Sequence, residues 1–136
     1  MVITFEVLGN PVGKGRPKFA RRGNFVTTYT PEKTRLAEQS FLAQSLPYRP
    51  EKPLAEPLTV ELAFWLPIPA SWSKKKRAAA LAGAIMPAKK PDIDNLCKII
   101  DCLSGVFWVD DCLIVHICAA KRYAEIPSTT IWIETI

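Results

Sequence analysis

The sequence predicts an α+β fold: a single compact domain over residues 1–136, with a mixed β-sheet of about four to six strands and helices packed on it. Three observations carry this prediction. Leu58, Val60, Leu62, Phe64 and Leu66 alternate with Thr59, Glu61, Ala63 and Trp65, the period of a half-buried strand. Leu96, Ile99, Ile100 and Leu103 fall at i, i+3, i+4 and i+7, an apolar helix stripe. A chain of 136 residues, 49% hydrophobic and 23% charged, suits one globular core.

Taken in order, Val2 to Val7 alternates as a strand and Gly9-Asn10-Pro11 breaks it. The segment 12–23 reads as a flexible loop carrying Lys14, Arg16, Lys18, Arg21 and Arg22. Its glycines admit close backbone approach to phosphate and its arginines offer forked donors. No Gly-Lys-Ser/Thr ends it, which excludes a Walker loop. Phe25–Tyr29 is a short strand predicted to pair back on the first. Thr30 as N-cap and Pro31 in the first turn start a helix to about Ser45, with Leu36, Ala37 and Phe41 as its apolar face. Pro47, Pro50, Pro53 and Pro57 form a stiff connector to the alternating strand, which Pro67 and Pro69 end. Ser71 to Gly83 is a serine-capped, alanine-rich helix whose first turns carry Lys74, Lys75, Lys76 and Arg77, against the helix dipole. Phosphate binding explains that placement; Trp72 beside it either stacks on a base or packs in the core.

Asp92 is a natural N-cap for the striped helix, with Asp94, Lys98 and Asp101 on its opposite face, and Ser104-Gly105 ends it. An extended run from Gly105 to Asp111 then reaches back toward Asp92 and Asp94. Leu113–Ala119 is apolar enough for a central strand, followed by Lys121-Arg122, a further phosphate clamp, and by a last strand at Thr129–Thr135.

Charge separates along this chain. Residues 91–111 hold five aspartates and one lysine, a net −4, whereas the rest holds 17 Lys and Arg against 8 Asp and Glu, a net +9. Bunched carboxylates suit a hard divalent cation, and a basic remainder suits a polyanion. An EF-hand starting at Asp92 is excluded, because Cys97 and Leu103 stand where Gly and Glu belong. The spacing of Cys97, Cys102, Cys112 and Cys118 is not that of a zinc knuckle, so reduced, partly buried thiols are expected. His116, the single histidine, reads as a core or edge side chain of its strand. No apolar run reaches the length of a membrane span and the N-terminus lacks a signal-peptide plan, so a cytoplasmic protein is expected.

Lys90-Pro91-Asp92-Ile93-Asp94-Asn95-Leu96, Lys98, Asp101-x-Leu-x-Gly105 and Phe107-Trp108-Val109-Asp110-Asp111 together resemble the signature of RusA-type Holliday junction resolvases, small homodimeric endonucleases of bacteria, phages and prophages. Gly9, Pro11, Lys14, Arg16 and Pro17 match a further segment of that family. The resemblance implies Mg²⁺, with Mn²⁺ as substitute, held by Asp92, Asp94 and Asp111, and Lys98 as the lysine needed for cleavage. Strand phase does not choose between Asp110 and Asp111; the family pattern favours Asp111 and leaves Asp110 as an outer partner. Lys14, Arg16, Lys18, Arg21, Arg22, Lys74, Lys75, Lys76, Lys121 and Arg122 would hold a four-way DNA junction, cut by paired symmetric nicks. The alternatives are a flap or fork nuclease and a non-catalytic DNA-binding module.

Overall fold

The computed structural model describes residues 1–136. Strand β1 (Val2–Leu8), a hairpin of β2 (Lys18–Arg22) and β3 (Phe25–Tyr29), helix α1 (Glu32–Ser45) and strand β4 (Leu58–Pro67) form the first half. Helix α2 (Lys74–Leu81), the short helix α3 (Ile93–Cys97), strand β5 (Ile114–Ala124) and strand β6 (Ser128–Thr135) form the second. The main sheet runs β1-β6-β4-β5 and is mixed: β4 and β5 are parallel, the other pairs antiparallel.

Alternation along β4 places Leu58, Val60, Leu62, Phe64 and Leu66 on the covered face. Phe5, Val7, Ile131 and Ile133 join them from β1 and β6, and Phe41, Leu96, Ile99, Ile100 and Leu103 close the core from the helical side. Each such side chain contributes about 1.5–3 kcal/mol on leaving water. A smaller cluster of Leu66, Ile68, Ala80 and Tyr123 seats α2 on the far end of β5. Proline connector and core meet at Leu54, whose N–H donates to Phe107 O at 2.9 Å and whose carbonyl accepts from Val109 N at 2.9 Å.

Five expectations are corrected. Phe25–Tyr29 pairs with Lys18–Arg22 rather than with the first strand, so half of the predicted loop is a ribbon of its own. The strand after Asp111 is an edge, not the centre; β6 takes the place between β1 and β4. Its apolar composition misled because Val115 and Ile117 stay exposed beyond the helical layer. The striped helix is one α-turn, Ile93–Cys97, that tightens into a 3₁₀ segment at Lys98–Leu103, while its four apolar residues still point into the core. Helix α1 is capped at Pro31 without a side-chain bond, one residue after the predicted Thr30. Its buried face is Thr34, Phe41 and Ser45, and Leu36 is exposed. Ser45 satisfies its hydroxyl by donating to Phe41 O at 2.7 Å, which lets a polar residue sit in the core.

Candidate active site

The loop before α3 is fixed from below by Lys121, whose Nζ donates to Lys89 O at 2.7 Å and Pro91 O at 3.0 Å. Asp92 then occupies the N-cap position with extended backbone, φ −70° and ψ 143°, but its carboxylate does not cap. It accepts instead from Lys90 Nζ at 2.9 Å. The turn is held by Leu96, fully buried, whose N–H donates to Asp92 O at 3.1 Å. Asp94 follows in the first turn and is exposed. One turn on, Lys98 Nζ donates to Asn95 Oδ1 at 3.2 Å, so Asn95 sets the direction of the lysine.

The opposite wall is the glycine loop. Lys14 N donates to Asn95 O at 3.1 Å and Gly15 N to Thr34 Oγ1 at 2.9 Å, stapling the loop between α3 and α1. A Cβ on Gly13 would stand 3.2 Å from Pro91 Cβ, and one on Gly15 would stand 3.1 Å from both Pro31 Cγ and Thr34 Oγ1. These glycines therefore serve approach to the protein's own elements, where the sequence suggested approach to phosphate. Lys14 turns its ammonium to Asp101 Oδ2 at 3.1 Å and Glu38 Oε1 at 3.7 Å. The hydrogen bond to Asp101 is the main cause that raises the Lys14 pKa above its ordinary value, against partial desolvation.

Between these walls lies an open polar cleft lined by Lys14, Gly15, Arg16, Pro17, Asp92, Asp94, Asn95, Lys98 and Asp101. Three of the four predicted catalytic residues, Asp92, Asp94 and Lys98, meet here. The fourth does not. The predicted extended run from Gly105 is a compact turn, with Gly105 N donating to Trp108 O at 2.7 Å, and Trp108 is fully buried. Trp108 Nε1 donates to Asp111 Oδ1 at 2.7 Å, and the Asp110 carboxylate accepts from Cys112 N at 3.0 Å. Asp111 opens a 3₁₀ turn ahead of β5, while Lys121, seven residues along that strand from Ile114, is the one that reaches Pro91. Seven strand residues rise about 23 Å, so Asp111 lies at the opposite end of β5 from Asp92. The predicted convergence of three carboxylates within one chain is not met, and no three His, Cys, Asp or Glu side chains form a metal-holding group.

The oxygen donors of Asp92 and Asp94, exposed and facing one cleft, fit a hard divalent cation in chemistry. In number they fall short of the ligands it takes. Asn95 stood in the recognised motif without a role, and it is the residue that orients Lys98; Thr34 and Glu38 were not singled out at all. Asp101 was visible seven residues beyond Asp94 on the same face; nothing in the local pattern of Thr34 marks it.

The predicted DNA cations divide. Arg16 lines the cleft and Lys18, Arg21, Arg22, Lys74 and Lys75 are exposed, whereas Lys14 and Lys121 are engaged within the chain. Ser73 caps α2, accepting from Lys76 N at 3.2 Å, and Lys76 Nζ lies 4.1 Å over the Trp72 ring. Trp72, half-buried, packs edge-on against Tyr123 at 5.3 Å, in line with the packing alternative of its two predicted roles. Arg122 is exposed and donates to Lys121 O at 3.3 Å. All four cysteines are free thiols, Cys97 and Cys102 half-buried, Cys112 and Cys118 exposed. Burial pushes the Cys102 thiol up to about 12. His116 is exposed on the edge strand, as one of its two predicted placements required. No helix is long and apolar enough to cross a membrane.

Comparison with known proteins adds two findings. The family profile described as "Endodeoxyribonuclease RusA" matches residues 9–134. The chain is also 32% identical over 137 residues to an uncharacterized protein of Bacillus subtilis (strain 168), YqaN, covering 98% of this chain and 96% of that one.

Proposed function

This chain belongs to the RusA endodeoxyribonuclease family, metal-dependent hydrolases of DNA phosphodiester bonds that act on branched junctions, and on that premise we propose that it resolves four-way junctions by paired, Mg²⁺-dependent nicks. The observation that carries the reading is the exposure of Asp92, Asp94 and Lys98 together in one polar cleft that Arg16 also lines.

Asp92 and Asp94 would hold the cation, which when bound supplies a water nucleophile at neutral pH and charge stabilisation at the leaving 3′ oxygen. Lys98, aimed by Asn95, stabilises negative charge on the scissile phosphate. Arg16 and the exposed lysines of α2 neutralise the flanking phosphates. Lys14, tied to Asp101, keeps the glycine wall in place and contacts DNA only secondarily.

The third carboxylate is proposed to come from a second copy. Val115, His116, Ile117 and Cys118 form an exposed stretch in the N-terminal half of the edge strand β5. Two β5 strands apposed antiparallel about that stretch bring Asp111 of one copy to the Lys121 end of the other, where Pro91 and Asp92 lie. A two-fold homodimer also matches a substrate of approximate two-fold symmetry that requires two opposed cuts.

The test is a mobile synthetic four-way junction incubated with the protein and Mg²⁺. Paired symmetric nicks, lost in Asp94→Asn while junction binding survives, are expected. Undiminished cutting by Asp94→Asn would remove this active site, and junction binding without cutting by the unaltered protein would leave only a DNA-binding module.

A further inference from the structure

The nuclease reading uses the β2–β3 hairpin only through its cations Lys18, Arg21 and Arg22 and leaves its exposed aromatic side chains unexplained. Of residues 18–29, all but Ala20 are exposed. Phe19 is 72% exposed, Phe25 75%, Val26 65% and Tyr29 49%. The side-chain bonds of the ribbon stay within it: Arg21 Nε donates to Gly23 O at 3.3 Å and Thr27 Oγ1 to Ala20 O at 3.2 Å. Gly23, at φ +61°, makes the tight reversal that the pairing of Arg22 with Phe25 demands. A ribbon of two strands with apolar groups in water on both faces is marginal by itself. It needs an occupant.

Register and charge identify the occupant. Cross-strand pairing puts Lys18 opposite Tyr29, Arg22 opposite Phe25, and Arg21 opposite Val26, so each face sets a cation beside an apolar side chain. The stretch 18–29 contains Lys18, Arg21 and Arg22 and no acid. Its root is continuous with the cleft, since Lys18 lines the same depression as Arg16, Lys90 and Asp92. Aromatic rings stack on bases while neighbouring cations take the flanking phosphates. In an intact duplex the base faces are covered by their neighbours; at the centre of a branched junction the stacking is interrupted.

We propose that the hairpin is a branch-point reader: Phe19, Phe25 and Tyr29 stack on bases exposed at the crossover and so set the junction's position over the cleft. This deepens the junction reading above and rests on it. The ribbon's five-residue strands extend roughly 17 Å, enough to enter the centre of an opened junction. Choosing branched over linear DNA then depends on surface aromatics outside the cleavage chemistry.

The test uses the full-length protein in EDTA with a four-way junction carrying 2-aminopurine at the crossover, beside a linear duplex of the same sequence. The unaltered protein is expected to raise the fluorescence of the junction probe and leave the duplex probe unchanged. Phe19→Ala/Phe25→Ala should abolish that rise and weaken junction binding about tenfold to hundredfold, with duplex affinity changed less than about twofold. Phe19→Tyr/Phe25→Tyr should keep both responses. A normal fluorescence rise with the alanine variant overturns the proposal. So does a variant that changes from dimer to monomer with unstacking intact, which would make the aromatics a subunit interface. An unaltered protein that neither binds nor cuts junctions defeats the function proposed above together with this inference, whereas normal cutting with no unstacking defeats this inference alone.

Discussion

The chain has two pairs of neighbouring acids, and the fold treats them in opposite ways. Asp92 and Asp94 stand exposed on a single helical turn inside the cleft, with Lys90 as the one side-chain partner of Asp92. Asp110 and Asp111 are engaged by the chain itself, the first through the Cys112 N–H and the second through the indole of buried Trp108. A carboxylate whose partner is an exposed lysine can exchange it for a cation at little cost, since surface pairs are worth at most about 1 kcal/mol. One that accepts from an indole fixed in the core has its direction set by packing. The first pair therefore keeps its oxygens exchangeable, whereas Asp111 has one oxygen held in a fixed direction.

The largest effect that sharpens this contrast is expected at Lys98. Lys98→Ala should lower junction cleavage by about 10²–10³, the scale of removing one charge-stabilising donor, with junction affinity nearly unchanged. Single-turnover cleavage measures it; loss of affinity in place of rate would move Lys98 from chemistry to binding. Trp108→Phe comes next. It leaves a void and an unpaired Asp111, costing about 1–3 kcal/mol in denaturant unfolding. Its cleavage rate should also fall more than that of Asp110→Asn, whose partner is a local turn; equal rates would erase the distinction between the two acids. Gly13→Ala should follow, since its Cβ would press on Pro91 at 3.2 Å and shift the loop carrying Asp92. A tenfold or smaller loss of cleavage is expected, on the order of 1 kcal/mol of misplacement. Retained full activity would show the loop tolerates the push.

The smallest effect concerns pH and a region away from the acids. Burial holds the Cys102 proton in the folded chain to about 12, while the unfolded thiol releases it near 9.0. The raised folded pKa means that stability is intact below pH 9 and declines as pH rises from there toward 12. Cys102→Ala should flatten that alkaline decline in thermal unfolding curves, and alkylation at pH 8 should leave Cys102 intact while exposed Cys118 reacts. An unchanged alkaline decline in the variant would show the thiol is not its source.

The sequence made the core strand β4, the helix α1 and the acidic turn at Asp92 legible because each is a local signal: period 2, period 3.6, and a cap residue before an apolar stripe. Lys98 was legible beside the acids from the helix face and the family pattern, whereas Arg16 was legible only as a loop cation and its place beside Asp92 was not. What stayed hidden is non-local. Nothing in 113–119 tells that its apolar side chains lie beyond the helical layer. Nothing in 105–111 tells that a buried indole bends the segment into a turn and keeps Asp111 at the far end of β5. Lys14 and Lys121 looked like phosphate ligands because their sequence neighbours are cations; their partners, Asp101 and the carbonyls of Lys89 and Pro91, are remote in sequence.

Subunit mixing tests most directly whether Asp92 and Asp94 of one copy work with Asp111 of another. Asp94→Asn and Asp111→Asn are each expected to be inactive alone. Mixed and allowed to exchange, they should recover nicking of a four-way junction at one strand, because one of the two shared sites in the mixed dimer then contains only native carboxylates. A mixture that stays as inactive as its parts, with mixed dimers demonstrably formed, would contradict the account.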